Sequence, residues 1–318
     1  MSTAFNPYSF RYVEHYSNIR HATPIMRFIG LTHPEDKVKD ALARIDGGID
    51  GRDAKPSDRS YDPVSEFEGD KQFATTLARG LEILRCFTPQ TPILSNSELS
   101  RRTGLTKPTI SRFTYTLSRL GYLRSDPRHG KYQLGSAVLS LSYPLLANIA
   151  LRQIVRPMMN ELADYVRGSV SMGIRDRLNI VYVETSRSYS AFHSQLSDIG
   201  MSHPIAGSAI GRAYLAGCDM SERTALLNEI KVKTPADWER HQHAIAQSLE
   251  QFDRHGFCVS RGEVRSEIHG VGVPMRRRTD GEIIVFNCVV QSFMVKPNML
   301  EQDIGPRLAA MVRTLEHQ

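Results

Sequence analysis

Residues 95 to 134 read SNSELSRRTGLTKPTISRFTYTLSRLGYLRSDPRHGKYQL. The opening Ser95–Glu98 fits a capping box, in which the serine hydroxyl accepts from a backbone N–H and the glutamate reaches back. We expect a short helix to run from there to Gly104. A second helix should begin after Thr106, with Pro108 in its first turn, where a missing N–H costs little. Two helices joined by a tight turn at a glycine indicate a helix-turn-helix.

The flanking residues complete a small domain around these two helices. Downstream, residues 122–124 and 131–134 bracket a turn-rich tip, which predicts a β-hairpin, or wing. Upstream, residues 73–87 place Leu77, Leu81, Leu84 and Phe87 at helical spacing, with Ile83 filling the face. The inward faces of the helix-turn-helix are Leu99, Leu105, Ile110 and Phe113. Spacing alone leaves open a plain helical hairpin in an all-helical core.

The basic charge of the chain is concentrated on this stretch. The whole chain carries a net charge of +6, residues 101–131 contain eight Lys and Arg but one acid, and residues 1–70 are net acidic. Donors and long basic side chains without acids suit base edges and phosphates. The predicted DNA-binding residues are Thr106, Lys107, Thr109, Ser111, Arg112, Tyr115, Thr116 and Arg119 on the second helix, and Arg124, Arg128, His129 and Lys131 on the wing. We therefore expect this domain to bind double-stranded DNA.

The chain is long enough for further domains on both sides. Residues 1–70 contain a segment rich in Asp, Gly, Ser and Pro and are predicted to be a largely disordered N-terminal extension, with a short helix near residues 32–45. A translation start further downstream is the alternative. The DNA-binding domain is assigned to residues 71–135, a linker helix to 136–150 and a third domain to 151–318. Strand-like and helical runs alternate in residues 151–318, which predicts an α+β domain with an antiparallel sheet.

A small-molecule site is predicted at the start of a helix near Ser208. Free N–H groups after Ala206 and Gly207, together with the Ser208 hydroxyl, suit a carboxylate. The alternative is a simple helix cap with nothing bound.

Several motifs, taken in order, resemble the IclR-type transcription regulators. The resemblance covers about residues 73–316 and rests on RGLEIL (79–84), LSRRTGL (99–105), TKPTISR (106–112), LGYL (120–123), HPIAGSAIGRAYLA (203–216), GFCVSRGE (256–263) and GVGVPM (270–275). It implies a winged helix-turn-helix joined by a linker helix to a GAF-like effector-binding domain. It also implies homodimers or dimers of dimers on palindromic operators, which suit a two-fold symmetric reader.

The resemblance also implies an effector pocket and a way to dimerise. It adds Ala209, Ile210, Ser260, Gly270, Asn287 and Val289 to Gly207 and Ser208 as effector-binding residues. The expected effector is a small organic acid, and His193 and His203 lie on loops that could cover it. The linker helix offers Val138, Leu139, Leu141 and Leu145 as a dimerising face, and Pro144 should kink it.

Two other kinds of protein remain as alternatives. A metal-responsive regulator would use Cys218, Cys258, Cys288 and His203, although no CxxC pair exists. An enzyme with an appended DNA-binding domain would need a set such as Glu184, His193 and Cys218, but none of the familiar catalytic motifs is present. We expect no cofactor, no metal and no catalytic residue. We also expect no membrane partner and a cytoplasmic location, because no apolar run reaches about 18 residues.

Overall fold

The computed structural model describes residues 65–67, 69–126, 128–189, 198–277 and 281–316. The chain divides into two units, Met1–Arg59 and Ser60–Gln318, and all described residues belong to the second. The helix predicted near residues 32–45 and most of the predicted N-terminal extension lie outside the described residues.

The predicted helix-turn-helix and wing form one small domain. Its elements are α1 (Thr75–Arg85), β1 (Leu94–Ser95), α2 (Asn96–Thr103), α3 (Lys107–Arg119), β2 (Leu123–Asp126) and β3 (Lys131–Leu134). The three strands pair antiparallel in the order β1-β3-β2. The two-residue strand β1 was not predicted; it pairs Leu94 with Tyr132 and so attaches the start of α2 to the wing.

Local hydrogen bonds fix the two helices of the motif. Ser95 and Glu98 form the predicted capping box at the start of α2. Gly104 ends α2 in the left-handed region at φ 72°, a conformation that other residues adopt only at a cost. Thr106 precedes α3 as predicted, but its hydroxyl bonds the Thr109 hydroxyl at 2.9 Å and caps no backbone N–H. The short turn therefore rests on glycine geometry and the first cap.

The core of this domain is formed by Ile83, Leu94, Leu99, Ile110 and Leu123, all nearly inaccessible to solvent. One expectation was wrong here. Leu77 and Leu81 are 65% and 49% exposed, because α1 turns Ile83 rather than these two leucines toward α2 and α3. They form an apolar strip on the outside of the single chain.

Two consecutive helices lead away from the wing, α4 (Ala137–Asn148) and α5 (Leu151–Val166). The first of them continues through Pro144, and the sharp change of direction, 88°, comes after it at the junction with α5. Within the described residues, no single helix is long and apolar enough to cross a membrane. Helices α4 and α5 reach that length and composition only when the bent pair is taken together.

The remaining elements form an α+β domain around a six-stranded antiparallel sheet. They are β4 (Ser169–Asp176), β5 (Asn179–Arg187), β6 (Ser202–Pro204), α6 (Ala209–Gly217), α7 (Met220–Lys233), α8 (Pro235–His255), β7 (Cys258–Arg261), β8 (Ile268–Arg276), β9 (Ile283–Gln291) and α9 (Gly305–Glu316), the last preceded by a π-helical turn, Leu300–Ile304. The strand order is β6-β5-β4-β9-β8-β7. This is the predicted fold class.

The sheet has a hydrophobic layer on each face. Helices α5 and α9 pack on one face through residues such as Met159 and Leu308. On the other face, α6, α7 and α8 cover Ile180 and Val285 of the sheet. Helix α6 approaches closely, because a Cβ at Gly272 of β8 would lie 2.3 Å from the carbonyl oxygen of Ala209. This close approach brings the start of α6 onto the middle of the sheet.

Candidate DNA-binding surface and effector cavity

The outer face of α3 and the wing form one exposed, basic set of side chains. Of the twelve residues predicted to bind DNA, the structure leaves eleven exposed; Thr109, whose hydroxyl is tied to Thr106, is half-buried. Thr114, which was not predicted to bind DNA, is fully buried and therefore does not lie on this surface. The predicted face is thus the solvent-facing side of the helix.

The cations of this face are unpaired within the part of the chain that the structure describes. Lys107, Arg112 and Arg119 have neither an acidic partner nor a side-chain hydrogen bond there. The Thr116 hydroxyl donates to the carbonyl oxygen of Arg112 at 3.0 Å, so its proton is already used within the helix. Long unpaired basic side chains on a helix surface are available to phosphates and base edges.

Asp126 organises the tip of the wing. Its carboxylate accepts from the Arg128 backbone N–H at 3.0 Å and lies 2.7 Å from His129 Nδ1. The hydrogen bond from His129 is the main reason why the pKa of Asp126 lies below its usual value. His129, predicted as a DNA contact, therefore also shapes the wing. Arg124 lies directly across the hairpin from Gln133.

One cation of the basic stretch serves the fold instead. Arg102 Nη1 donates to the carbonyl oxygen of Cys86 at 2.9 Å and to the Thr91 hydroxyl at 3.0 Å. It ties α2 to the loop after α1. Counting charges in the sequence cannot separate such a residue from one that faces DNA.

The α+β domain contains a cavity with an empty volume of about 550 Å³, part of it open to solvent. Six of the eight residues predicted to bind an effector line it: Ser208, Ala209, Ser260, Gly270, Asn287 and Val289. They come from α6, β7, β8 and β9, which the sheet order brings together.

Two predicted effector residues lie elsewhere. Ile210 is fully buried in the core between α6 and the sheet, where its Cδ1 would lie 3.2 Å from a Cβ at Gly173 of β4. Gly207 faces His241 of α8, whose Nε2 would lie 3.1 Å from a Cβ at that position. Neither is on the cavity wall.

The Ser208 hydroxyl is a helix cap. It accepts from the Gly211 N–H at 3.1 Å and donates to the carbonyl oxygen of Pro204 at 2.7 Å. The proton that was expected to reach a carboxylate is therefore engaged in the fold. The cap is the one that the alternative for this helix start expects, and the residue also lines the cavity.

The cavity wall also contains residues that the sequence analysis did not assign to it. These are Tyr182, Met201, His203, Val264, Arg265 and Ile268. His203 had been expected on a loop, but it lies in the short strand β6 and stacks obliquely on Tyr182, with ring centroids 4.5 Å apart. Side chains alternate between the two faces of a strand, so Tyr182 was predictable on the same face of β5 as Ile180, two residues earlier. His193 lies outside the described residues.

Two buried polar atoms of residues on the cavity wall have no hydrogen-bond partner among the described residues: Asn287 Oδ1 and His203 Nε2. The Asn287 side-chain nitrogen donates to the Tyr182 hydroxyl at 2.7 Å. Burial away from water lowers the pKa of His203, because the charged imidazolium is poorly solvated there. Native proteins rarely leave buried polar atoms unsatisfied.

A second buried network supports the cavity wall from behind. Arg212 of α6 donates to the Ala206 carbonyl oxygen at 3.2 Å and pairs with Glu263 at 3.0 Å. Glu263 in turn accepts from the Ser260 hydroxyl at 2.5 Å. Burial would raise the pKa of Glu263, but the bonds from Ser260 and Arg212 outweigh it and lower the pKa. The network joins the start of α6 to the loop after β7.

Within the described residues, the metal-ligand set of the first alternative is not assembled, and His193 of the catalytic set lies outside them. Burial raises the pKa of Cys218 to about 11 and of Cys258 and Cys288 to about 12, so all three thiols are protonated at neutral pH. Across the described ranges, no three His, Cys, Asp or Glu side chains are grouped to hold a metal ion. Glu184 pairs with Arg152 and Arg156 of α5.

Comparison with known proteins gives two family matches. Residues 76–127 match the IclR helix-turn-helix domain, and residues 144–315 match the C-terminal domain of the bacterial transcriptional regulator IclR. The HTH-type transcriptional regulator TsaQ1/TsaQ2 of Comamonas testosteroni is 32% identical, over 76% of this chain and 87% of its own length.

Solved structures of IclR proteins share the fold. An IclR family transcriptional regulator from Brucella abortus is 43% identical with a TM-score of 0.69, covering 78% of this chain and 93% of its own. An IclR homologue from Microbacterium hydrocarbonoxydans, solved in complex with 4-hydroxybenzoate, is 22% identical with a TM-score of 0.57, covering 76% and 99%; it shows the fold alone. The matched domains together span most of the chain, which therefore belongs to the IclR family of transcription regulators.

Proposed function

We propose that this protein is a ligand-responsive transcription regulator that binds palindromic operator DNA as a symmetric homodimer or a pair of dimers. The single observation that supports DNA reading by α3 is its exposed, acid-free basic face, with Lys107, Arg112 and Arg119 unpaired among the described residues. A two-fold symmetric protein places two such helices on two half-sites of opposite orientation. The wing, with Arg124, supplies further phosphate contacts beside each half-site.

Genome-wide mapping of the DNA that the protein binds identifies the operator. Purified protein then tests whether Arg112 contacts that operator. We expect Arg112→Ala to weaken operator binding by about tenfold or more, because one good base or phosphate contact contributes roughly 1–3 kcal/mol. Arg254→Ala, an exposed arginine of α8 in the other domain, is the matched control and should bind normally. Fluorescence anisotropy at fixed salt measures both. Normal operator binding by Arg112→Ala would overturn the assignment of α3 to the groove.

The effector is a small organic acid bound in the cavity of the α+β domain. The support is that six residues predicted for an effector from the sequence line one cavity, together with Arg265 as a cation on its wall. The IclR homologue solved with 4-hydroxybenzoate supplies a first probe of this class. In this proposal the chain acts by binding and catalyses no reaction.

Ligand binding alters DNA binding through the linker helices. Arg152 of α5 donates to the carbonyl oxygen of Leu146 in α4 at 2.9 Å and to Glu184 of β5 at 3.1 Å. Glu184 follows Tyr182 of the cavity wall by two residues. One guanidinium therefore connects the cavity strand with the helix that leads to the winged domain.

Titration of operator DNA with and without a panel of organic acids tests this coupling. Allostery requires that the acid changes operator affinity and that the operator changes acid affinity by the same factor, typically 5–150-fold. We expect at least one acid, present at saturating concentration, to change operator affinity within about this range. An unchanged operator affinity across a broad panel of aromatic and aliphatic acids would refute the ligand-responsive part of the proposal, while leaving DNA binding intact.

A further inference from the structure

Strand β5 contains a β-bulge beside the cavity wall. In its pairing with β4, Tyr182 lies opposite Gly173 and Glu184 lies opposite Met172, so Val183 is the extra residue of the bulge. A bulge inserts one residue into a strand, bends the strand and changes where the following side chains point. In a regular strand Glu184 would lie on the same face of the sheet as Tyr182, because side chains alternate.

The contacts of β5 show the effect of this bulge. Tyr182 lies on the cavity wall. Val183 belongs instead to the hydrophobic layer beneath α5 and α9 on the opposite face of the sheet. The next side chain, Glu184, also lies on that opposite face, where it pairs with Arg152 and Arg156 of α5. The bulge therefore turns the Glu184 carboxylate from the cavity face toward α5.

Glu184 is a buried charge with two cationic partners. The residue is 3% exposed. Its Oε2 accepts from Arg152 Nε at 3.1 Å and from Arg156 Nη2 at 2.8 Å. A buried carboxylate that loses its partners is strongly unfavourable. These bonds consequently hold the Arg152 side chain, which is itself largely buried, against β5.

The two arginines differ in what else they contact. Arg152 Nη1 also donates to the carbonyl oxygen of Leu146, in the last turn of α4, where a cation is favoured by the helix dipole. In the described part of the chain, Arg156 bonds Glu184 and makes no contact with α4. Helices α4 and α5 meet at 88°. The Arg152 guanidinium therefore holds both sides of this bend, and Arg156 holds one.

We propose that Glu184 is a positioning residue that sets the bend between α4 and α5 through Arg152, and so passes a change at Tyr182 on to the winged domain. This deepens the proposed function and rests on it. The bulged Val183 alone separates Tyr182 from Glu184 along β5. A ligand that displaces Tyr182 displaces Glu184 and, with it, the guanidinium bonded to the end of α4.

Operator affinity without any ligand is the first test. We expect Glu184→Gln and Arg152→Gln each to weaken operator binding by about fivefold or more, because the winged domains are no longer held in the orientation that the operator requires. Arg156→Gln is the matched control, since it loses a bond to the same carboxylate oxygen but no contact with α4. It should bind the operator as the unmodified protein does. Fluorescence anisotropy at fixed salt measures all four proteins.

Hydrogen exchange tests the bend without DNA or acid. The backbone N–H of Ile149 bonds the carbonyl oxygen of Leu146, and that of Arg152 bonds the carbonyl oxygen of Ile149. These amides should exchange faster in Glu184→Gln and Arg152→Gln than in Arg156→Gln, because local opening of the junction becomes easier. Equal exchange and equal operator affinity in Arg152→Gln and Arg156→Gln would overturn the proposal.

Two measurements separate positioning from a general loss of structure. Circular dichroism and light scattering establish that each variant is folded and has the oligomeric state of the unmodified protein. If Glu184→Gln does not fold, Arg152→Gln decides, because it leaves the bond between Glu184 and Arg156 in place.

The response to acids supplies the readout that a merely structural role would not change. For 4-hydroxybenzoate and every other acid that alters operator affinity in the unmodified protein, calorimetry measures acid binding to Glu184→Gln. We expect the acid to bind with nearly its usual affinity, since Glu184 lies on the other face of the sheet, while its effect on operator affinity is lost. An unchanged effect on operator affinity refutes the role of Glu184, and so does loss of acid binding.

Failure of this proposal is distinguishable from failure of the proposed function. If no acid alters operator affinity in the unmodified protein, the ligand-responsive part of the proposed function fails. The comparison of Arg152→Gln with Arg156→Gln without ligand still decides whether the connection to α4 positions the winged domain.

Discussion

Two histidines of the α+β domain are held where a positive charge is poorly solvated. Burial lowers the pKa of His203, and burial together with the nearby Arg212 lowers that of His241. Their folded pKa values lie below the unfolded value of about 6.5, so the unfolded chain binds more protons between the two values. The stability that these residues contribute is complete above about pH 6.5 and is lost as the pH falls below it.

We therefore expect the free energy of unfolding to be smaller at pH 5.5 than at pH 7.5, and this loss to be smaller in His203→Gln. Urea denaturation followed by circular dichroism at the two pH values measures both quantities. His243→Gln, at an exposed position of the same helix as His241, is the matched control and should lose as much as the unmodified protein. A loss in His203→Gln equal to that in the control would contradict the role assigned to burial.

At the residue scale the sequence predicts which face of an element a side chain occupies better than it predicts the hydrogen-bond partners of that side chain. The periodicity of α3 places Arg112 and Arg119 on the outer face, because a helix repeat fixes which side chains face away from the core. It does not reveal that Arg102 is bonded to Cys86. The motif at the start of α6 predicts Ser208 as a ligand contact, yet whether its hydroxyl is free depends on Pro204, which only the folded turn brings within 2.7 Å.

At the scale of elements the strongest signals are local. The capping box at Ser95, Gly104 and Pro108 predict the limits of α2 and α3 because each acts within one helical turn. The short strands β1 and β6 have two and three residues and were missed, since their pairing partners lie far away in the sequence. The cavity depends on such a strand, because His203 lies on β6.

The linker helix α4 is apolar but exposed, and contacts within one chain do not explain this. It is largely apolar, yet none of its residues is buried in the described part of this chain. A helix of this composition is normally covered in a soluble protein. Its end is fixed by Arg152, which bonds Leu146, while Leu141 and Leu145 remain 64% and 56% exposed on one face. We therefore expect a second molecule to cover this exposed face of α4.

At the scale of the whole molecule we expect a dimer that buries α4 of each chain against the other, and the exposed Leu77 and Leu81 of α1 form a further apolar strip. A homodimer would have twice the chain mass of 35.8 kDa and would present two copies of α3 to one operator. Contiguous exposed apolar faces of this kind mark protein interfaces. The winged domain then contributes to DNA binding by contact, and α4 contributes by holding two such domains in a symmetric pair.

Replacing Leu141 and Leu145 together with glutamate tests this arrangement, because four carboxylates would meet across the two-fold axis. We expect the variant to elute as a monomer in size-exclusion chromatography with light scattering, and its operator affinity to fall by about a hundredfold or more, since the second half-site no longer contributes. The control is Val232→Glu with Met220→Glu on α7, where the side chains are 78% and 75% exposed and lie far along the chain from α4. That pair should keep the mass and affinity of the unmodified protein. A Leu141→Glu/Leu145→Glu protein that remains dimeric would show that α4 is not the dimer interface, and one that is monomeric but binds the operator normally would separate DNA reading from symmetry.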